Sequence, residues 1–273
     1  MFECVVNVSE GRDLPVLEQL SRAAGASLRD RHRDRYHHRS VFTLINEEGP
    51  LVDDLHSLAA TAYQRIDLRR HNGAHPRFGV VDVVPFVALS DEDPADAVRL
   101  RDEAARWFAE DQSVPVFLYG PLADGSTRTL PEVRRGAFRD VAPDAGPDTA
   151  SESRGAVAVG ARGILVAWNL WLRDTSLERA RALAGAVRSP SVRALGFEVG
   201  EDVQVSCNLV DVTRARPSAL YDQVERLLEG PEAIDHAELV GLAPRALVEA
   251  EDPGRLEELG LSDDATIEAR LGS

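Results

Sequence analysis

The densest group of reactive side chains is Arg69-Arg70-His71-Asn72-Gly73-Ala74-His75-Pro76-Arg77. Imidazole titrates near neutral pH and can give or take a proton at a reacting nitrogen. The guanidiniums around it present planar forks that match a carboxylate bidentately. His71 and His75 are four apart, a spacing that would place two zinc ligands on one helix face. Gly73 and Pro76 argue against a helix there, and no glutamate adjoins either histidine as in a zinc-protease helix. The segment therefore reads as a loop carrying acid/base groups beside carboxylate-binding groups. A second cluster, His32, His37, His38 and Arg39, precedes an apolar run. Two histidine-rich loops admit a rival reading, a metal-assisted hydrolase, but no carboxylate with ligand spacing accompanies them. Asn7, Asn169 and Asn208 sit in apolar, strand-like runs, where a buried amide must be hydrogen-bonded. They are either satisfied within their sheets or they line a ligand cleft.

Composition narrows the chemistry. The 273 residues carry 31 basic and 46 acidic side chains, a net charge of −15, which argues against nucleic acid and anionic membrane as partners. Every basic residue is arginine. Without lysine there is no Schiff-base mechanism and no Walker A phosphate loop. No apolar run approaches the roughly 20 residues needed to span a bilayer. The opening MFECVVNVSEGR has neither a basic n-region nor an apolar h-region, so a cytoplasmic protein is expected. Cys4 and Cys207 lie in apolar runs and read as small buried hydrophobes rather than a disulfide framework.

The elements that must position these groups follow from periodicity. Strands are expected at Glu3–Val8, Ser27–Arg29, Ser40–Ile45, Val80–Leu89 and Val114–Tyr119, with helices at Leu14–Ala24, Pro50–Arg65 and Asp93–Glu110. The stretch RDRHRDRYHH reads as a polar loop. After an aperiodic segment, 140–155, the pattern gives strands at Ile164–Leu172, Val192–Val199, Val203–Val210 and Glu238–Leu242, with helices at Ser176–Val187 and Pro217–Leu228. Both parts contain the order β-α-β-β-α-β, the ferredoxin-like unit. The expected fold is α+β, with two ferredoxin-like halves at residues 1–160 and 161–273.

These residues resemble the formiminotransferase domain of glutamate formiminotransferase and formiminotransferase-cyclodeaminase. The resemblance runs through Asn7-x-Ser9-Glu10-Gly11-Arg12, His38-Arg39-Ser40, Arg70-His71-Asn72-Gly73-Ala74-His75-Pro76-Arg77, Asp82 and Pro85-Phe86. It continues through Ala142-Pro143-Asp144-x-Gly146-Pro147, Gly160-Ala161-Arg162, Ala167-x-Asn169, Gln204-Val205-Ser206-x-Asn208 and Leu239-Val240-Gly241-Leu242.

The resemblance implies transfer of a formimino group from N-formiminoglutamate to N5 of tetrahydrofolate, the co-substrate, without a metal. It implies His75 as the general acid/base, and two halves facing each other across a cleft. The folate-contacting segment falls on Gly146, Pro147, Ser153 and Gly155. Arg39, Arg77 and Arg162 are expected to meet substrate carboxylates, and Asn7, Asn169 and Asn208 to line the ligand site. Ala74 replaces the glutamate common in the family, so Asp82 is the nearest acidic candidate to partner His75. No fused cyclodeaminase activity is expected, and a homodimer is compatible with the resemblance. A second reading stays open, a divergent non-catalytic folate- or pterin-binding module of the same fold.

Overall fold

A computed structural model describes residues 1–71, 77–89 and 92–272. The chain divides into two compact units, 1–163 and 164–273.

In the first unit, β1 (Phe2–Val8) alternates so that Cys4, Val6 and Val8 enter one core while Asn7 faces the other way. The helix α1 (Leu14–Ala23) starts where the Asp13 carboxylate accepts the Val16 N–H at 3.0 Å, with Pro15 in its first turn. The hairpin of β2 (Leu28–Asp34) and β3 (Arg39–Asn46) corrects the expected polar loop. Most of the arginine- and aspartate-rich run is strand, closed by a turn at 35–38. This strand ends the sheet, where charged side chains face water and discourage edge-to-edge pairing.

Next come α2 (Glu48–Arg65), β4 (Val81–Ala88), α3 (Pro94–Glu110), β5 (Val116–Pro121), β6 (Thr127–Arg128), α4 (Leu130–Gly136) and β7 (Val157–Ala161). They complete a seven-stranded sheet in the order β2-β3-β1-β4-β7-β5-β6. The first four strands form an antiparallel β-α-β-β-α-β set; β7 then joins β4 in parallel. The expectation did not include β7, β6 or α4. The sequence of β7 is alanine- and glycine-rich, which carries little strand propensity. Gly160 is required there, because a Cβ would lie 2.1 Å from the Tyr119 ring.

One face of this sheet packs Val6, Phe42, Leu44, Val84 and Phe86 against Leu17, Leu20, Leu51, Leu55 and Leu58 of α1 and α2. Each such buried side chain contributes roughly 1.5–3 kcal/mol. On the other face Val83, Phe117, Tyr119 and Ala158 pack with Val133 of α4.

The second unit is β8 (Val166–Arg173), α5 (Leu177–Val187), β9 (Val192–Val199), β10 (Asp202–Leu209), α6 (Pro217–Leu227) and β11 (Ala233–Val240), followed by α7 (Arg245–Glu249) and α8 (Ile267–Leu271). Its antiparallel sheet has the order β11-β8-β10-β9. Val166, Trp168, Leu170, Val205 and Cys207 pack with Leu183, Leu220 and Val224. Asn169, Trp171, Gln204, Ser206 and Asn208 alternate to the face away from α5 and α6.

The segment 140–155 is less free than its composition implies. The Asp144 N–H reaches the Val116 carbonyl, the Gly155 N–H reaches that of Ser151, and the Leu68 N–H reaches that of Ser153, all within 2.8–3.0 Å. At Gly146 and Gly155, φ is +82° and +70°, and a Cβ would lie 2.4 Å and 2.5 Å from backbone oxygens. Both glycines are therefore fixed by close backbone contact.

Candidate functional site

Asp82 sits at a β-bulge. Asn7 pairs with Val83 and Val8 with Val81, so Asp82 is an extra residue in β4 opposite β1. A bulge re-aims the side chain it carries. Here the carboxylate, 0% exposed, meets Arg39 Nη1 at 2.7 Å and Arg134 Nη2 at 2.6 Å, and accepts the Phe78 N–H at 2.7 Å. Burial works to raise the Asp82 carboxyl, but the two arginines and the amide outweigh it and hold it below the usual carboxylate range. Arg39 opens β3 and also donates from Nε to Asn7 Oδ1 at 3.1 Å. The structure thus brings three of the expected residues, Asn7, Arg39 and Asp82, into one network. The role expected for Asp82 as partner to His75 involves a residue outside the described ones.

Beside this network two imidazoles stack. The His38 and His71 rings lie 3.7 Å apart at 28°. His38 has φ +54°, a costly left-handed conformation for a residue that is not glycine. Its Nδ1 accepts the Gly11 N–H at 3.0 Å. Gly11 is obligatory in that approach, since a Cβ would sit 2.2 Å from the Asp34 carbonyl oxygen. The Glu10 carboxylate collects the amides of Gly11, Arg12 and Asp13 at 2.7–2.9 Å and lies 3.3 Å from His38 Nδ1. His71 Nε2 is 3.1 Å from the His38 carbonyl oxygen. A carbonyl only accepts, so Nε2 carries the proton and Nδ1 keeps its lone pair. That Nδ1 is buried with no hydrogen-bond partner among the described residues. Burial, with His38 and Arg77 close by, pushes the His71 imidazole down to about 4, so it is neutral at physiological pH.

Arg77 completes the cluster. Its Nε and Nη2 are buried and have no hydrogen-bond partner among the described residues. Burial, together with Arg12, lowers its pKa against the pull of Asp82. A buried guanidinium with unmet donors is costly, and an anion placed against it would relieve that cost. His75 lies outside the described residues, between His71 and Arg77 in sequence.

The remaining expected residues lie elsewhere. Arg162, just after β7, donates from Nη1 to the Gly163 carbonyl, hydrogen-bonds the Tyr119 side chain and draws on the buried Glu3 carboxylate. Burial pushes Glu3 up to about 7 against that pull. Pro147 is exposed, and the Ser153 carbonyl binds the Leu68 amide. A cavity of about 590 Å³ opens between Phe138–Pro143 and Asp148–Ala150. Within the second unit, Asn169 Nδ2 and the Trp171 indole N–H both donate to Glu238 Oε2, at 3.2 Å and 3.0 Å. Trp171 stacks on His236 at 5.5 Å, and Asn208 faces Ala167 and Arg193 across its strand. Among the described residues no group of three or more His, Cys, Asp or Glu is placed to hold a metal, and no helix is long and apolar enough to cross a membrane.

Arg134 and Glu10 escaped the sequence reading. Arg134 rides on α4, which was not expected. Glu10 stands within the quoted Ser-Glu-Gly-Arg motif, but nothing in its spacing reveals the three successive amides it collects.

Residues 1–162 match the family described as the formiminotransferase domain, N-terminal subdomain. The chain is 32% identical to a glutamate formimidoyltransferase of Streptococcus pyogenes serotype M1, over 91% of each chain. It is 31% identical to a protein of the same name from Thermoplasma acidophilum, over 91% of this chain and 90% of that one. It is also 32% identical to a formimidoyltransferase-cyclodeaminase of Rattus norvegicus, over 92% of this chain but 51% of the relative, so it spans about half that protein's length.

Proposed function

The chain belongs to the formiminotransferase-domain family, and on that premise we propose that it transfers a formimino group from N-formiminoglutamate to N5 of tetrahydrofolate. The observation that supports this most is Arg77, whose Nε and Nη2 are buried without a hydrogen-bond partner among the described residues. It fits the donor's carboxylate bidentately. Arg39 and Arg134 are held by Asp82 and set the surrounding potential without being consumed by it.

The chemistry is acid/base. The N5 amine attacks the formimino carbon and forms a tetrahedral intermediate. That intermediate must lose a proton from the incoming nitrogen and gain one on the departing glutamate nitrogen before the C–N bond breaks. His75 is the group proposed to carry both transfers, worth roughly 10²–10⁴-fold in rate. No step calls for a covalent nucleophile or a metal. His71, neutral and with its Nδ1 lone pair unmet, is a positioning residue that offers an acceptor to an N–H donor. The segment Gly146–Gly155, with the adjoining cavity, is proposed to hold the folate, and the two units to act as subdomains of one transferase. Asn169 and Asn208 supply amides to the ligand site in this reading.

The test is formiminoglutamate-dependent conversion of tetrahydrofolate by the purified chain. Turnover supports the reading. Folate binding without turnover replaces it with the binding-module reading.

A further inference from the structure

The second unit contains a cavity that the proposed reaction does not use. It measures about 280 Å³ and lies where the end of α5 and the start of β9 meet the start of α6. That volume is at the small end for ligand sites and suits a single headgroup rather than a drug-sized molecule. Arg188, Arg214 and Arg216 line it with Ser189, Ser191 and Gln223, and no acidic residue does. In a chain of net charge −15, the described lining carries three arginines and no acid, although two of them pair with acids outside it.

Each guanidinium is engaged from its inner nitrogen. Arg188 Nε donates to the Ala194 carbonyl at 2.8 Å, Arg216 Nε lies 3.1 Å from Glu251, and Arg214 Nε lies 3.5 Å from Asp211. These contacts brace the side chains and leave the terminal Nη forks, the part that matches an oxyanion, outside the bonds described. Glu251 and Asp211 take part only from behind, since neither lines the cavity. The start of α6 adds donors. Pro217 occupies its first position, no side chain caps it, and no acidic residue stands in its first turn, so its free amide dipoles face no internal anion. Ala219 of that turn is among the lining residues.

We propose that this cavity is a binding site for a phosphate-type oxyanion, such as the phosphate of a small phosphorylated metabolite, separate from the transfer site in the first unit. Three forked cations and hydroxyl and amide donors suit a tetrahedral, multiply charged group better than a single planar carboxylate.

The experiment is an amide-resolved NMR titration of the full chain with inorganic phosphate at constant ionic strength, with sodium chloride and succinate as parallel arms. The expected result is saturable shifts at the Ser189, Ser191 and Ala219 amides with phosphate and not with chloride. In the Arg188→Gln/Arg214→Gln variant the dissociation constant should rise on the order of 10-fold or more per arginine removed. Arg216 is left intact because it pairs with the buried Glu251. Both replaced side chains are exposed, so the variant should fold, and its unchanged amide spectrum elsewhere would show that. Absence of saturable shifts at those amides, an equal response to chloride, or an unchanged constant in the double variant would overturn the proposal. Saturation by succinate alone would overturn the assignment to phosphate.

Discussion

The two sheets share a β-α-β-β-α-β core with the same strand order, yet they treat polar groups on the face away from their paired helices in opposite ways. In the first unit the buried acid Asp82 is met by two guanidiniums, Arg39 and Arg134, and a third, Arg77, has two donor nitrogens without a partner among the described residues. In the second unit Glu238 accepts from two neutral donors of its own sheet, the Asn169 amide and the Trp171 indole N–H. The difference teaches where binding energy can come from. Among the described residues the first face presents guanidinium donors, whereas the second presents neutral hydrogen bonds and an aromatic surface. A bulge made this possible in the first sheet, because it turned Asp82 out of the helix-packed core toward the arginines.

The sharpest way to break the comparison is to remove the two acids in turn. Asp82→Asn removes the buried carboxylate that Arg39 and Arg134 share, and should cost about 3–5 kcal/mol in urea unfolding. Glu238→Gln keeps an acceptor for its neutral donors and should cost only about 1 kcal/mol. Equal losses would show that the two faces are not electrostatically distinct.

Glu3 gives the next largest effect. Its carboxyl titrates near 7 when folded against an ordinary value of 4.5. Its contribution is therefore fully present below pH 4.5 and is lost as pH rises through 7. Each pKa unit is worth about 1.4 kcal/mol, so Glu3→Gln should abolish on the order of 3 kcal/mol of this pH-linked loss. Parallel stability curves for wild type and variant between pH 4 and pH 8.5 would contradict it.

Arg77→Met separates function from stability. Stability should stay level or rise, since two buried donor nitrogens without a partner among the described residues are gone. Turnover should fall about 10–100-fold, chiefly through KM for the donor, the loss of one charge-assisted carboxylate pair. A variant that unfolds more easily while keeping its KM would make Arg77 a structural residue. The smallest effect is expected at Phe138, which is 42% exposed with φ +60° beside the cavity of the Gly146–Gly155 segment. Phe138→Ala should raise KM for tetrahydrofolate a few-fold, about 1 kcal/mol of lost aromatic contact, and leave KM for the donor unchanged.

Much of this arrangement was legible in the sequence. The helices at Leu14–Ala24 and Asp93–Glu110 and the strands at Val192–Val199 and Val203–Val210 could be read because their apolar periodicity is local. The strand β2 was misread because an edge strand keeps charged side chains, so Arg29–Asp34 lacked the apolar alternation of an interior strand. The strand β7 was invisible because Ala158 and Gly160 are small where they pack against Tyr119 and its neighbours, which only the fold reveals. Asp82 and Arg39 were singled out in the sequence, but their ion pair was not legible there, since the network depends on one extra residue in β4 and on a guanidinium 52 residues away. His75 came from resemblance to a family; spacing alone offered His71 equally.

The proposed function rests on proton transfer by His75. The most direct test is steady-state conversion of tetrahydrofolate with formiminoglutamate, comparing wild type, His75→Asn and His71→Asn. Measurable wild-type turnover is predicted, with a loss on the order of 10²-fold or more in kcat for His75→Asn and a much smaller loss for His71→Asn. A His75→Asn variant that turns over at the wild-type rate, or a folded wild type with no turnover, would contradict it.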